Sequence, residues 1–570
     1  MMNSALNFTV IAVVVSAIAG SATAQPISTA DQALIDDAIQ TQAARDNLPD
    51  LEPQQTDGPA GDGIVAPDVD LLTVGAGGPC FDLSEILITG WENAGPRPKA
   101  ADRLIGTCAT ATDIGAALNT INIEYQDIGL ITTRAYLPEQ DVSDGDLEIA
   151  VIAGVIEDFV YGDGSAADAR LTTAFPVGPG ALLDLRELEQ GYDNLNGPAS
   201  ASAEANFIPG TKPGDSLVAV AVQDGRPWSL SSTLSNQGQE ATGEFKGGLT
   251  FGYDNLANRN DEFSVTLSTT LFDSRNSRFS ESLAFDWGVP VGDWAHSFSL
   301  SGSQYRLPVV GINQSYTVEG DSVSFGYSTE VLLSRDQTSK FYATGGVEIT
   351  QSRSFIEGVE LTTQRRNLTI GHLGLRGEQT MENGEFKWNT GLRFGLGALG
   401  SNIGVSSIVD PDFIVWSARL DYARPVAETG ITWRARLEGQ ASPDVLPSSE
   451  QLSIGSWSTV RGFHEDSMYG DDGFYLRNTL EWPSQSWELG TYKFNAGLDF
   501  GYINPSRLRE WNQRVLIGVS VGADFDFGAD TTLSVGVAHA LSRPDENAPN
   551  TTSAFEDSRT VMRFELRKEF

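Results

Sequence analysis

Few residues in this chain have the types and spacing that covalent chemistry needs. Ser216, within Gly214-Asp215-Ser216-Leu217, together with Asp293 and His296, supplies the nucleophile, acid and base of a hydrolase triad. The surroundings argue against that use. Ser216 follows a Pro-Gly turn and opens an extended segment, whereas a triad nucleophile needs a sharp strand-to-helix elbow, and His296 lies among alternating strand residues. The histidines His296, His372, His464 and His539 are scattered, and Cys80 and Cys108 join none of them at metal-ligand spacing. No catalytic role, metal or cofactor is therefore expected, and the sequence has no Gly-rich phosphate loop to hold a nucleotide. Two charged residues, Arg461 and Asp499, take their meaning from the elements that carry them.

The first 24 residues set the compartment. An apolar run from Phe8 to Ala19 leads to Ala22-Thr23-Ala24, a small-x-small cleavage site, so 1–24 reads as a secretory signal peptide. That run is too short to span a bilayer as a helix, and no later stretch of about 18 apolar residues follows. An exported chain of this kind is either soluble or crosses a membrane as a closed barrel. With 76 acidic and 37 basic side chains the formal charge is −39, which excludes the cationic surface that nucleic acid requires. Acidity concentrates in 25–225, where 33 acidic residues face 8 basic ones. In an exported chain with no other thiols, Cys80 and Cys108 are expected to form a disulfide. Closing a loop of that length contributes about 3 kcal/mol in the chain-entropy model.

Patterning divides the mature chain into four regions. Within 25–44 a short helix is expected, with Thr29 and Gln32 as a capping box and Leu34, Ile35, Ala38 and Ile39 on one face. Residues 45–79 are rich in Pro, Gly and Asp and read as a flexible linker. Region 80–154 reads as strand, helix, strand, strand: extended over 81–88, helical where Ile114, Leu118, Ile121, Tyr125 and Ile128 recur, stopped at Gly129, then extended over 130–137 and 147–152. Region 155–225 repeats that order, with Leu185, Leu188, Tyr192 and Leu195 on its helix and Gly197 as the stop, so two tandem α/β modules are expected.

From 226 to 570 the period changes to two. Leu249, Phe251 and Tyr253 alternate with Thr250 and Gly252, and Phe494, Leu498 and Phe500 alternate with Asn495, Gly497, Asp499 and Gly501. One apolar and one polar or Gly face per strand, with aromatics near the ends, is the signature of transmembrane β-strands. The 345 residues suit about 16 strands with their connections, although 14 or 18 also fit. In the closing segment Met562, Phe564, Leu566 and Phe570 share one face, and the sequence ends on that aromatic residue. The expected fold is an antiparallel transmembrane barrel preceded by two α/β modules and an N-terminal helix.

Several segments resemble the outer-membrane transporters of two-partner secretion, the TpsB (ShlB/FhaC) type, within the wider group of POTRA-plus-β-barrel proteins. These are Cys80-Phe81-Asp82-Leu83, Ile131-Thr132-Thr133-Arg134-Ala135-Tyr136-Leu137-Pro138-Glu139-Gln140-Asp141, Leu446-Pro447-Ser448-Ser449-Glu450-Gln451 and Val460-Arg461-Gly462-Phe463. Ser456 stands where that pattern has a second Gly. The resemblance implies that 80–154 and 155–225 are periplasmic POTRA domains, that the segment near 440–475 is a loop folded back into the pore, and that helix 25–44 is a plug. An Arg inside a barrel needs a counter-charge. Alternation turns Asp499 to the lumen, with Gly497 and Gly501 leaving clearance, so Arg461 is expected to pair with Asp499.

The implied function is export of an unfolded TpsA-like partner exoprotein, of the haemolysin or adhesin class, through a barrel in the bacterial outer membrane. Its POTRA modules would capture the client, lipid would surround the barrel, and the barrel assembly machinery would read the terminal strand. An insertase of the same superfamily is the first rival, distinguished by its usual three to five POTRA domains. A passive porin is the second, and it would need neither the modules nor the Arg461 loop.

Overall fold

The structure, a computed structural model, describes residues 80–273, 277–402, 409, 411–463, 467–504, 514–542 and 559–570. The expected signal peptide, the helix with Leu34, Ile35, Ala38 and Ile39, the linker and His464 lie outside the described residues.

In the first module the helix Ala111–Asp127 begins at a capping box, in which the Thr110 side chain accepts from the Asp113 N–H and the Asp113 carboxylate accepts from the Thr110 N–H. Its apolar face buries Ile114, Leu118, Ile121 and Tyr125 against Ile86, Ile88, Leu147 and Ile149 of a three-stranded sheet. That sheet runs Glu85–Thr89, Asp146–Ile152, Arg134–Tyr136, with the first pair parallel. The single strand expected over 81–88 is split. Cys80–Asp82 leaves the sheet to pair with Cys108–Thr110, and the Cys80–Cys108 disulfide joins that small ladder across a Cα separation of 5.3 Å. Ser84 marks the break, donating its backbone N–H to the carbonyl of Gly145, 2.8 Å away. Only Arg134–Tyr136 of the expected 130–137 segment is strand, because the Leu130 and Thr133 N–H groups bond within the turn that follows the helix.

The second module repeats the plan with the sheet Val155–Tyr161, Asp215–Asp224, Ala201–Pro209 and the helix Leu185–Asn196. It adds a short helix, Ala169–Ala174, which periodicity over so few residues could not mark. Gly197 ends the longer helix in a right-handed conformation, so its glycine is not needed for a left-handed cap, unlike Gly129 at φ +95°. Ser216 is an inward residue of this module's sheet, and His296, in the barrel, hydrogen-bonds Tyr327 and Thr329. The two do not form a hydrolytic site.

Among the described residues eighteen strands close into one antiparallel ring. Val359–Glu360 and Gln485–Trp487 are short hairpin extensions of two and three residues, which leaves sixteen strands running the barrel's height. Leu249, Phe251, Leu300, Phe325, Leu373 and Leu498 point outward and are exposed, as a lipid-facing wall requires. Trp487, Tyr492, Phe525 and Phe527 cluster at the end of the barrel nearest the modules. The ring closes where Glu565–Glu569 of the last strand pairs with Ser231–Ser235 of the first. Met562, Leu566 and Phe570 face outward there, and the Phe570 N–H reaches the Leu230 carbonyl.

The second module docks on the barrel's turns. Arg170 donates to both Asp224 carboxylate oxygens at 2.8 and 2.9 Å and to Asn260 Oδ1 at 3.0 Å. Asn194 donates to the carbonyls of Ala174 and Gly292, and Asn258 donates to Asp168. Arg335 and Lys340 meet Asp193, with Arg335 also reaching Glu189.

Candidate functional site

Between the strands Thr432–Ala441 and Asp472–Glu481 the chain leaves the ring at the end opposite the modules and turns back into the lumen. The two limbs are tied at their base. Asp471 Oδ1 accepts from the Leu446 N–H at 3.1 Å and from Gln451 Nε2 at 2.9 Å. Leu452–Ile454 then pairs with Met468–Gly470 as a small ladder. At the tip, Thr459 Oγ1 accepts from the backbone N–H groups of Gly455 and Ser456. Ser456 closes the turn through its own hydroxyl, within 2.9 Å of Ser458 Oγ and 3.0 Å of Thr459 Oγ1, so the serine found where a glycine was expected is used by the turn.

This geometry delivers Arg461 to Asp499. Arg461 Nε donates to Asp499 Oδ2 at 2.6 Å, Nη2 to Oδ1 at 2.6 Å, and the Arg461 backbone N–H to Oδ2 at 3.0 Å. The same Nη2 reaches the Asn478 carbonyl at 2.8 Å and Thr479 Oγ1 at 3.2 Å. The side chains are 3% and 0% exposed. A bidentate fork sealed from water is the arrangement in which a carboxylate can stay charged at depth, because every lone pair it turns inward is met by a donor. Around it Val460, Phe463, Ile454 and Met468 of the loop pack on Tyr475, Ile503, Leu516 and Ala540 of the wall.

Glycines make the close approach feasible. Gly497 faces the Arg461 guanidinium, and Gly501 faces Val460 and Ile454. Gly462 has φ +103° and lies on the His539 backbone. Sequence reasoning missed two further glycines. A Cβ at Gly518 would collide with the Arg461 carbonyl, and one at Gly536 with the Trp457 ring. Gly518 is the register partner of Asp499 on the next strand, so both face the lumen, but that register is set by the fold and no local pattern in the sequence marks it. Arg477, the partner of Asp499 on the other side, donates to the Ser458 carbonyl at 3.1 Å and was missed too.

The loop lies against one side of the lumen, from Arg366 and Arg393 near its base round to Gly536 and Arg563 near its tip. The opposite wall carries a different chemistry. Ser231, Thr250, Thr266, Ala284, Ser301 and Ser324 are successive register partners, a row of small and mostly hydroxyl-bearing residues running across six strands. Where this wall meets Glu348, His372 and Arg393 there is a cavity of about 310 Å3. Among the described residues no group of His, Cys, Asp and Glu is arranged to hold a metal.

Comparison with known proteins agrees with this architecture. Residues 214–525 match the family model described as haemolysin secretion/activation protein ShlB/FhaC/HecB, 81–154 match the ShlB-type POTRA domain, and 155–209 match a second POTRA model. The outer membrane transporter CdiB of Dickeya dadantii is 29% identical over 458 residues, 78% of this chain and 80% of that protein. The hemolysin transporter protein ShlB of Serratia marcescens is 27% identical over 450 residues, covering 78% and 79%. The solved structure of CdiB from Escherichia coli shares the fold with a TM-score of 0.80 at 24% identity, over 96% of this chain and all of that one.

Proposed function

The chain belongs to the haemolysin secretion/activation family ShlB/FhaC/HecB, and from that premise we propose that it exports an unfolded partner exoprotein through its barrel. It is an outer-membrane protein with its POTRA domains in the periplasm. The observation that carries the reading is the hairpin held inside the lumen by Arg461 and Asp499, opposite the hydroxyl-lined wall.

Export needs no catalytic group in this account. The client enters as an extended chain, and the POTRA modules hold it through strand addition or a helix-strand groove. Glu85–Thr89 and Arg134–Tyr136 form the two edges of the first module's sheet, and Glu85–Thr89 is the edge suited to such pairing, because the Ala135 N–H donates to Asn122 Oδ1 at 2.7 Å and the Ala135 carbonyl accepts from Asn122 Nδ2. The second module fixes those edges relative to the pore mouth through Asn194, Arg170 and Arg335. Lipid solvates the outward Leu and Phe residues, and the closing strand Thr560–Glu569 is the element offered to the barrel assembly machinery.

The test is a translocation intermediate. A partner exoprotein stalled by a folded C-terminal fusion is expected to form disulfide cross-links from an introduced cysteine to Ser299→Cys in the lumen. Cross-links confined to outward positions such as Leu300→Cys would exclude the lumen as the path.

A further inference from the structure

The Leu446-Pro447-Ser448-Ser449-Glu450-Gln451 segment has an acid that the ion pair at the loop tip does not explain. Ser448–Glu450 forms a single helical turn at the loop base. Arg393, on the strand Gly384–Gly395, donates from Nε at 3.1 Å and from Nη2 at 3.0 Å to Glu450 Oε2. The same Nη2 lies 3.3 Å from Oε2 of Glu348, on the strand Ser339–Ile356. Glu450 is 9% exposed, while Arg393 and Glu348 are 37% and 35% exposed. Neighbouring contacts converge on the same turn: Arg366 Nη1 donates to Ser448 Oγ at 2.7 Å, Gln440 Nε2 donates to the Glu450 carbonyl at 2.8 Å, and Leu446 packs with Leu368, Ile370, Phe413 and Val415.

We propose that Arg393 is a second positioning residue for the inserted loop, and that it holds the loop base releasably because Glu348 stays on the wall as its alternative partner. One guanidinium with five donors is divided between a carboxylate on the moving segment and one on the fixed wall. When the base lifts, Glu450 passes to water and Arg393 keeps Glu348, so neither acid nor base is left buried without a counter-charge. With Arg393 and Glu348 partly exposed and only Glu450 buried, the latch is weaker than the sealed pair at the tip, and its strength is set by competition between the two glutamates. This inference concerns the resting pore and goes beyond the export reading, so it is tested without any client.

The experiment is single-channel recording of the purified full chain in planar bilayers, with folded barrels confirmed for each variant. Glu450→Gln is expected to raise the open probability by roughly two- to fivefold, the range of a part-exposed ion pair. Arg393→Met should do the same, the double variant should open no more than either single one, and Arg393→Lys should restore most of the closed time. Glu348→Gln should shift the balance the other way and lower the open probability, because Arg393 then has Glu450 alone. A packing role would move all these variants in one direction. Opening by Glu348→Gln equal to that by Glu450→Gln, or no change in Glu450→Gln, overturns the proposal. A second readout is thiol labelling of Ser449→Cys from outside intact cells: acceleration by Glu450→Gln and slowing by Glu348→Gln supports it, and equal rates in all backgrounds contradict it.

Discussion

Arg461 and Asp499 are 38 positions apart in the chain, yet they form a bidentate pair in which both side chains are almost fully buried. The strand register explains how the wall accepts it. Asp499 stands between Arg477 on one neighbouring strand and Gly518 on the other, so one side supplies a second cation and the other supplies the space into which the loop backbone fits.

Gly518→Ala is expected to dislodge the loop tip, because its new methyl meets the Arg461 carbonyl, a main-chain atom with little freedom. Overpacking of this kind costs about 1–3 kcal/mol. Gly497→Ala should cost more, since its methyl meets the Arg461 guanidinium, which the buried pair with Asp499 holds in place. Thermal unfolding in detergent, with conductance as the report on the loop, should rank the two variants in that order.

The docking of the second module divides into two chemistries. Arg335→Ala removes part-exposed contacts to Glu189 and Asp193 and should loosen the module by about 1 kcal/mol or less, an effect that salt already mimics in the wild type. Asn194→Ala leaves two buried carbonyls, Ala174 and Gly292, without that donor, and should cost about 1–3 kcal/mol regardless of salt. Distance distributions between spin labels on the second module and on the barrel, at low and high ionic strength, separate the two cases.

Docking should also depend on pH. Glu187 is held above its usual value of 4.5, first by burial and then by repulsion from Asp293 and Asp184. A carboxyl whose folded pKa is raised binds a proton that the undocked or unfolded form has already lost. Its contribution therefore favours the docked state at low pH and declines as pH rises from 4.5 through the raised value. Glu187→Gln should flatten this slope in melting curves recorded across that window, and at neutral pH the variant should be at least as stable as the wild type.

Removing the disulfide should act on the first module. Cys80→Ser with Cys108→Ser frees a loop with a sequence separation of 28, worth about 3 kcal/mol in the chain-entropy model. Calorimetry should show the low-temperature transition of the modules shifted downward, with the barrel transition unmoved.

Much of this architecture can be read directly from residue patterning. Period-two alternation and outward Leu and Phe residues specify a barrel, because lipid and lumen impose opposite chemistry on successive positions. The same alternation turns Asp499 and Gly497 inward. Less legible were features that depend on register between distant strands. Nothing local distinguishes Gly518 or Gly536 from other strand glycines until Asp499 and Trp457 are placed beside them. Arg393 and Glu450 are 57 positions apart and meet only because the loop folds back. The split of the first strand at Ser84 was hidden because both halves read as one extended run, and the helix Ala169–Ala174 is too short for a periodic signal.

The most direct test of the central claim is export by Arg461→Ala and Asp499→Ala, each co-expressed with the partner exoprotein at wild-type barrel levels. Breaking a buried pair from either side leaves an uncompensated charge, at a cost of about 3–5 kcal/mol. The loop should lose its seat, and the secreted exoprotein in the medium should fall severely in both variants. Undiminished secretion by both would contradict the account.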